Sequence, residues 1–314
     1  MQRGGPSSPS CSSSDFFPLS QLTTAECGSE SSAEAQRHEL KANNRPRVRT
    51  AFSVATAVDK PTDPSRMRSI VIFYMCYLLC LGLGLACVVC VCVWNKQWRG
   101  GFAWDGTALQ FNWHPVLMVT GLVVVYGIGA VLYRIPLTWG QNKLPWKLLH
   151  AALMLIALVL SIVGLCAVFD FHNAKNTPNL YSLHSWIGIA ATALFAMQWV
   201  VGVAGFLLPW SPASLRKLLK PIHVWLGGSI LVLSIAACIS GINEKLFFVL
   251  KGDANGTQPY TNLPPEAQLG NALGVLIVAF GLVVLKVLSH HKWQRPDSQP
   301  EDMTYTPLLQ EENE

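Results

Sequence analysis

Four histidines stand inside long apolar runs of this chain: His114, His150, His184 and His223. An ionisable side chain at membrane depth is costly and is functional by default. For one residue, an interhelical hydrogen bond would be account enough. Four of them, one in each of four consecutive apolar segments, ask for more. Their depths supply it. His114 and His184 lie near the starts of segments that enter from one side, His150 and His223 near the starts of segments that enter from the other. The four therefore fall into two pairs on two levels. Two facing imidazoles without a cysteine or carboxylate match bis-histidine ligation of haem iron, whose potential the ligands and local dielectric then set. A structural zinc would take four convergent ligands, usually with cysteine. The CxxCH attachment motif is absent, so two non-covalent b haems are expected. At ~1.5 Å per residue, roughly twenty residues between levels put the irons on the order of 20 Å apart.

Such ligands need membrane helices to carry them, and the composition provides for these. The chain is 51% apolar and 13% charged, against about 25% charged in soluble domains. Six apolar blocks, at about 70–94, 112–133, 146–169, 183–208, 222–243 and 267–288, each cover the roughly 20 residues that cross a bilayer. Runs of that length exclude barrel strands. The expected fold is an all-α membrane protein of six transmembrane helices, spans 2–5 forming a central four-helix bundle around two haems.

Lys and Arg in the short loops set the orientation. Arg134, Lys143 and Lys147 join spans two and three, and Arg216, Lys217 and Lys220 join spans four and five. Lys60, Arg66 and Arg68 precede the first span, and Lys292 and Arg295 follow the last. The opposite loops hold Lys96, Arg99, Lys175, Lys245 and Lys251, partly balanced by Asp105, Asp170, Glu244, Asp253 and Glu266. Both termini are thus expected in the cytosol. Asn255-Gly-Thr, a glycosylation acceptor, falls in the last non-cytosolic loop.

Residues 1–65 are rich in Ser, Thr and charge, without helical or strand period, and predict a disordered cytosolic tail lacking a signal-peptide core. Residues 66–292 form the membrane domain and 293–314 a cytosolic tail in which Tyr305-Thr-Pro-Leu308 fits a tyrosine-based sorting signal. The net charge of +5 does not mark a nucleic-acid partner, since nine of the 23 Lys and Arg lie in the first 68 positions. Cys87, Cys90 and Cys92 sit in a lipid-compatible run with no His or acid nearby and read as small hydrophobes.

The stretches Trp98-Arg-Gly-Gly, Phe111-Asn-Trp-His-Pro, Lys147-Leu-Leu-His150, Tyr181-Ser-Leu-His-Ser-Trp186, Leu215-Arg216 and Pro221-Ile-His223 carry a resemblance to the cytochrome b561 family over residues 70–296. Pro145-Trp-Lys-Leu-Leu-His and Asn243-Glu-Lys-Leu-Phe-Phe, with the tail near Pro307, look most like the family's lysosomal member. The long N-terminal tail departs from the family's short start.

The resemblance implies that cytosolic ascorbate reduces the His150/His223 haem and that the His114/His184 haem then reduces lumenal ferric iron. The alternative keeps the path but takes monodehydroascorbate as acceptor, and a non-redox membrane scaffold is the remote one. For ascorbate or a propionate the resemblance implies Lys143, Lys147, Arg216 and Phe206; Arg134 and Lys220 lie beside them. At the acceptor side it implies Phe171, His172 and Tyr181. It also implies a homodimer, and with the sorting pattern a late endosomal or lysosomal membrane.

Overall fold

The computed structural model describes residues 64–252 and 258–296, and all regular structure among them is helical. Six helices are long and apolar enough to cross a membrane: α1 (Pro64–Trp98), α2 (Ala108–Arg134), α3 (Lys143–Ala174), α4 (Leu183–Leu207), α5 (Ala213–Val249) and α6 (Pro265–Ser289). A helix satisfies its own backbone in hydrocarbon, which is why apolar runs of this length adopt it. Large apolar side chains such as Met75, Leu78, Leu85, Val275 and Leu282 are exposed on the outside. In water such a surface would aggregate, whereas in lipid it is at home. The chain is a multi-pass membrane protein.

The apolar blocks of the sequence mark lipid rather than helix, and the helices run well past them. The longest, α5, has 37 residues and is about 56 Å long at 1.5 Å per residue. His223 therefore stands nearly three turns inside α5, not at its start, and Lys245 and Glu266 belong to helices, not to loops.

Helices pack as α2 on α3, α4 on α5, and α1 on α6, with α6 also against α5 and α2. Glycines allow the closest approaches. A Cβ at Gly121 of α2 would lie 2.8 Å from the Ala157 carbonyl oxygen of α3. Around Gly121, α2 winds as a π-helix over Val119–Val125, and α4 ends in another over Val203–Leu207. Such insertions recur at functional sites because they re-aim the turns on either side. Cys80 and Cys87 are fully buried in the apolar core around α1. Beyond α6, Trp293 folds back, donating Nε1–H to the Ser69 hydroxyl at 3.1 Å and packing edge-on against Phe73.

One polar network ties α1 to α6. Glu266 is buried; its Oε1 accepts from Trp94 Nε1–H at 2.8 Å and its Oε2 pairs with Arg99 at 2.5 Å. Removing one partner of a buried pair leaves the other charge uncompensated. Glu266→Ala is expected to destabilise the fold by about 3 kcal/mol, seen as a lower unfolding midpoint in detergent. An unchanged midpoint would show the network to be structurally idle.

Asn255, Tyr305 and Leu308, with the tail before residue 64, lie outside the described residues.

Candidate functional site

The four histidines come together in two pairs. The rings of His114 (α2) and His184 (α4) lie with centroids 6.0 Å apart, and those of His150 (α3) and His223 (α5) 6.3 Å apart. A metal–imidazole bond of about 2.0–2.1 Å, with the ring centre about 1.1 Å further, separates two axial rings by about 6 Å. Both pairs have the spacing of two imidazoles on one central ion.

Backbone carbonyls fix the rings. His114 Nδ1–H donates to Gly164 (3.1 Å), His150 to Gly129 (2.9 Å) and His184 to Ala237 (2.8 Å). A proton held on Nδ1 leaves Nε2 as the free lone pair and raises its basicity. His223 is the exception, its buried Nδ1 having no hydrogen-bond partner among the described residues. The same bonds mark the levels: the Gly164 carbonyl that holds His114 is fourteen residues from His150, and the Ala237 carbonyl that holds His184 is fourteen from His223. Fourteen residues span about 21 Å of helix. Fourteen is fewer than the roughly twenty residues that the sequence reading placed between levels.

Local sequence explains the placement. Ser182 and Ser185 form a capping box at the start of α4, which sets His184 one residue into the helix. Pro221 sits two residues before His223 inside α5, where it removes one backbone donor. Gln198 reaches across from α4 and donates Nε2–H to the His223 carbonyl at 2.8 Å.

Around the His150/His223 pair, Phe206 lies 5.2 Å from the His223 ring and Tyr133 5.4 Å from His150. Lys143 opens α3 and is partly buried; Lys147 lies one turn on, Lys220 one turn before His223. The guanidinium of Arg216 lies 3.4 Å from the Pro209 carbonyl. Arg134 is turned elsewhere: it donates to the Leu288 carbonyl at 2.5 Å and to that of His290 at 3.5 Å, closing the end of α6. A cation at a helix C-terminus satisfies orphan carbonyls and opposes the helix dipole.

Around the other pair, a cavity of about 300 Å³ is lined by His114, His184, Phe171, His172 and Tyr181 together. His172 Nδ1 is 3.0 Å from the Asn179 side-chain oxygen. Burial, and then the nearby Glu244 carboxylate, push the Tyr181 hydroxyl above its ordinary range.

Sequence reasoning missed two residues here. Phe111 packs edge-on against Phe171 at 5.4 Å and lies 6.0 Å from the His114 ring; Lys245 holds its ammonium 4.1 Å from the Phe111 ring centre. The signals were available. Phe111 precedes His114 by three residues, and Lys245 follows Gly241 by four and Ala237 by eight, which is one helix face.

Six membrane helices, four of them carrying two pairs of facing imidazoles, three of which are oriented by backbone carbonyls, define a transmembrane oxidoreductase of the b-haem type. Comparison with known proteins agrees. The family model for eukaryotic cytochrome b561 matches residues 113–249. The lysosomal membrane ascorbate-dependent ferrireductase of Danio rerio is 64% identical over 242 residues, 77% of this chain and 98% of its own. Its counterpart in Homo sapiens is 58% identical over 225 residues, covering 72% and 92%. The plasma membrane ascorbate-dependent reductase of Xenopus laevis is 48% identical over 217 residues, covering 69% and 75%. The chain belongs to the cytochrome b561 family, whose cofactor is haem b.

Proposed function

We propose that this protein is an ascorbate-dependent ferric reductase of the late endosomal or lysosomal membrane, with one haem b held by each histidine pair. Ascorbate gives up one electron and one proton at the cytosolic His150/His223 end. At the lumenal His114/His184 end, ferric iron accepts one electron to become ferrous. The observation that carries this is the pair of ring separations, 6.0 and 6.3 Å, on levels about 21 Å apart along the helices. The names of the similar proteins from Danio rerio and Homo sapiens supply donor, acceptor and compartment.

Bound haem supplies the one-electron couple at each level. The chain's residues do the rest. The Gly164, Gly129 and Ala237 carbonyls hold three imidazoles in the ligating tautomer. Lys143, Lys147, Arg216 and Lys220 lend the cytosolic end positive charge, which draws in an ascorbate anion and raises its encounter rate. Phe206 and Tyr133 pack their rings beside the ligands there. Arg134 acts indirectly, by anchoring α6 to the end of α2. At the lumenal end Phe171, His172 and Tyr181 border the cavity the acceptor enters.

The test is an absorbance spectrum of the purified protein before and after ascorbate, with haem counted per chain, followed by addition of ferric citrate or monodehydroascorbate. Two haems per chain, reduced by ascorbate and reoxidised faster by ferric citrate, are the expected result. Faster reoxidation by monodehydroascorbate would make the protein an ascorbate-regenerating enzyme. A colourless protein would return the histidines to helix packing.

A further inference from the structure

The cavity beside His114 and His184 contains a lysine that, among the described residues, makes no ion pair. Lys245 lines it, partly buried, with its ammonium over the face of Phe111 at 4.1 Å. Among the described residues no carboxylate lies within ion-pair distance of it, for the single ion pair there joins Arg99 to Glu266. Both oxygens of Glu266 are already engaged, one by Trp94 and one by Arg99. Glu244 lines the same cavity but forms no ion pair with its neighbour Lys245. A cation–π contact offsets only part of the cost of drawing an ammonium away from water. The remainder is offset if an anion enters the cavity beside it.

We infer that Lys245 is a carboxylate-binding residue of the His114/His184 cavity, held in place by the ring of Phe111. The inference rests on the reading that this cavity serves the lumenal haem and its acceptor. A carboxylate can come from two sources there: a propionate of the cofactor, or the chelate that carries the ferric ion. The two have the same chemistry and different consequences. A cation against a propionate is fixed beside the iron and favours its reduced form, so it acts as a positioning residue on the potential. A cation against a ferric carboxylate chelate acts on acceptor binding and selects anionic iron complexes over cationic ones.

The experiment compares Lys245→Met and Lys245→Arg with the unaltered chain, at measured haem content, by potentiometric titration and by acceptor kinetics. Ferric citrate serves as the anionic acceptor and hexaammineruthenium(III) as the cationic one. If the partner is a propionate, Lys245→Met lowers the potential of one of the two titrating components, and KM for both acceptors is unchanged. If the partner is the chelate, both potentials hold while KM for ferric citrate rises about tenfold, the loss of one charge-assisted hydrogen bond, and KM for the ruthenium complex does not rise. Lys245→Arg keeps the charge and restores most of either effect. A fully haem-loaded Lys245→Met with both potentials and both KM values unchanged overturns the inference and leaves the di-haem reading intact. Should Lys245→Met fail to assemble, Phe111→Leu decides, because it removes the platform and keeps the charge. It shifts the same readout by a smaller amount, and no shift in any of them overturns the inference.

Discussion

His150→Ala is expected to leave a folded protein that binds about half the haem and has lost electron transfer from ascorbate. The ring of His150 faces His223 at 6.3 Å, with its Nδ1–H on the Gly129 carbonyl at 2.9 Å. Removal leaves one imidazole on that level, and that one is His223, whose Nδ1 no carbonyl anchors among the described residues. Displacing even an outer partner of a metal ligand costs about 10–100-fold in affinity, so loss of a ligand empties the level at ordinary haem concentrations. The helices survive because α3 packs on α2 through Gly121 and a buried face that includes Met154, Ala157 and Leu158, none of which depends on the histidine. Absorbance per chain, circular dichroism and the rate of reduction by ascorbate measure the three parts of the claim. The surviving haem should be reducible by dithionite, which needs no donor site. Exposed Lys217, on the same end of the bundle, gives the control: Lys217→Ala should reduce at the unaltered rate. A His150→Ala protein that keeps two haems and its ascorbate rate would remove this residue from the ligand set.

The number of helices and the pairing of histidines were legible in the sequence for the same reason. Lipid demands long unbroken apolar blocks, so depth can be counted from their edges, and depth alone sorts four residues into two levels. What lies past the edges was not legible. Hydropathy ends where lipid ends, but a helix closes its own hydrogen bonds and continues into the polar zone. Lys245 and Glu266 were therefore counted as loop charges, although α5 runs to Val249 and α6 begins at Pro265. Arg134 shows the limit of charge reading in the other direction. Its position in a basic loop suggested ligand binding and gave no sign that the end of α6, more than 150 residues on, provides carbonyls that it also holds. The π-helical stretch of α2 left no trace at all, since Val119-Thr-Gly-Leu-Val-Val-Val125 reads as ordinary membrane helix. Only the approach of Gly121 to the Ala157 carbonyl shows how closely that turn seats against α3.

Gly241→Ala is expected to empty the other level while leaving the His150/His223 level loaded. A Cβ at 241 would stand 2.6 Å from Cε1 of His184, 2.9 Å from its Nδ1 and 3.2 Å from its Nε2. The imidazole cannot simply retreat, because Nδ1 is bonded at 2.8 Å to the Ala237 carbonyl, one turn back on the same face of α5. Either the bond breaks or α4 and α5 part, and overpacking of this kind costs about 1–3 kcal/mol, a cost the unliganded ring escapes by rotating. Haem affinity at this level should fall about 10–100-fold, with ascorbate still reducing the remaining haem and ferric citrate no longer reoxidising it quickly. Two further glycines grade the effect. At Gly202 a Cβ would come 3.1 Å from Cε1 of His223, whose Nδ1 has no hydrogen-bond partner among the described residues, so Gly202→Ala should shift its own level only slightly. At Gly188 the nearest atom is the Ala237 Cβ at 3.9 Å, so Gly188→Ala should change neither level. Haem content and the two-step reductive titration order the three variants. Loss in the order 241, then 202, then 188 would mean that wedged imidazoles hold the cofactors. Full haem in Gly241→Ala would mean that the ring at His184 has another place to go.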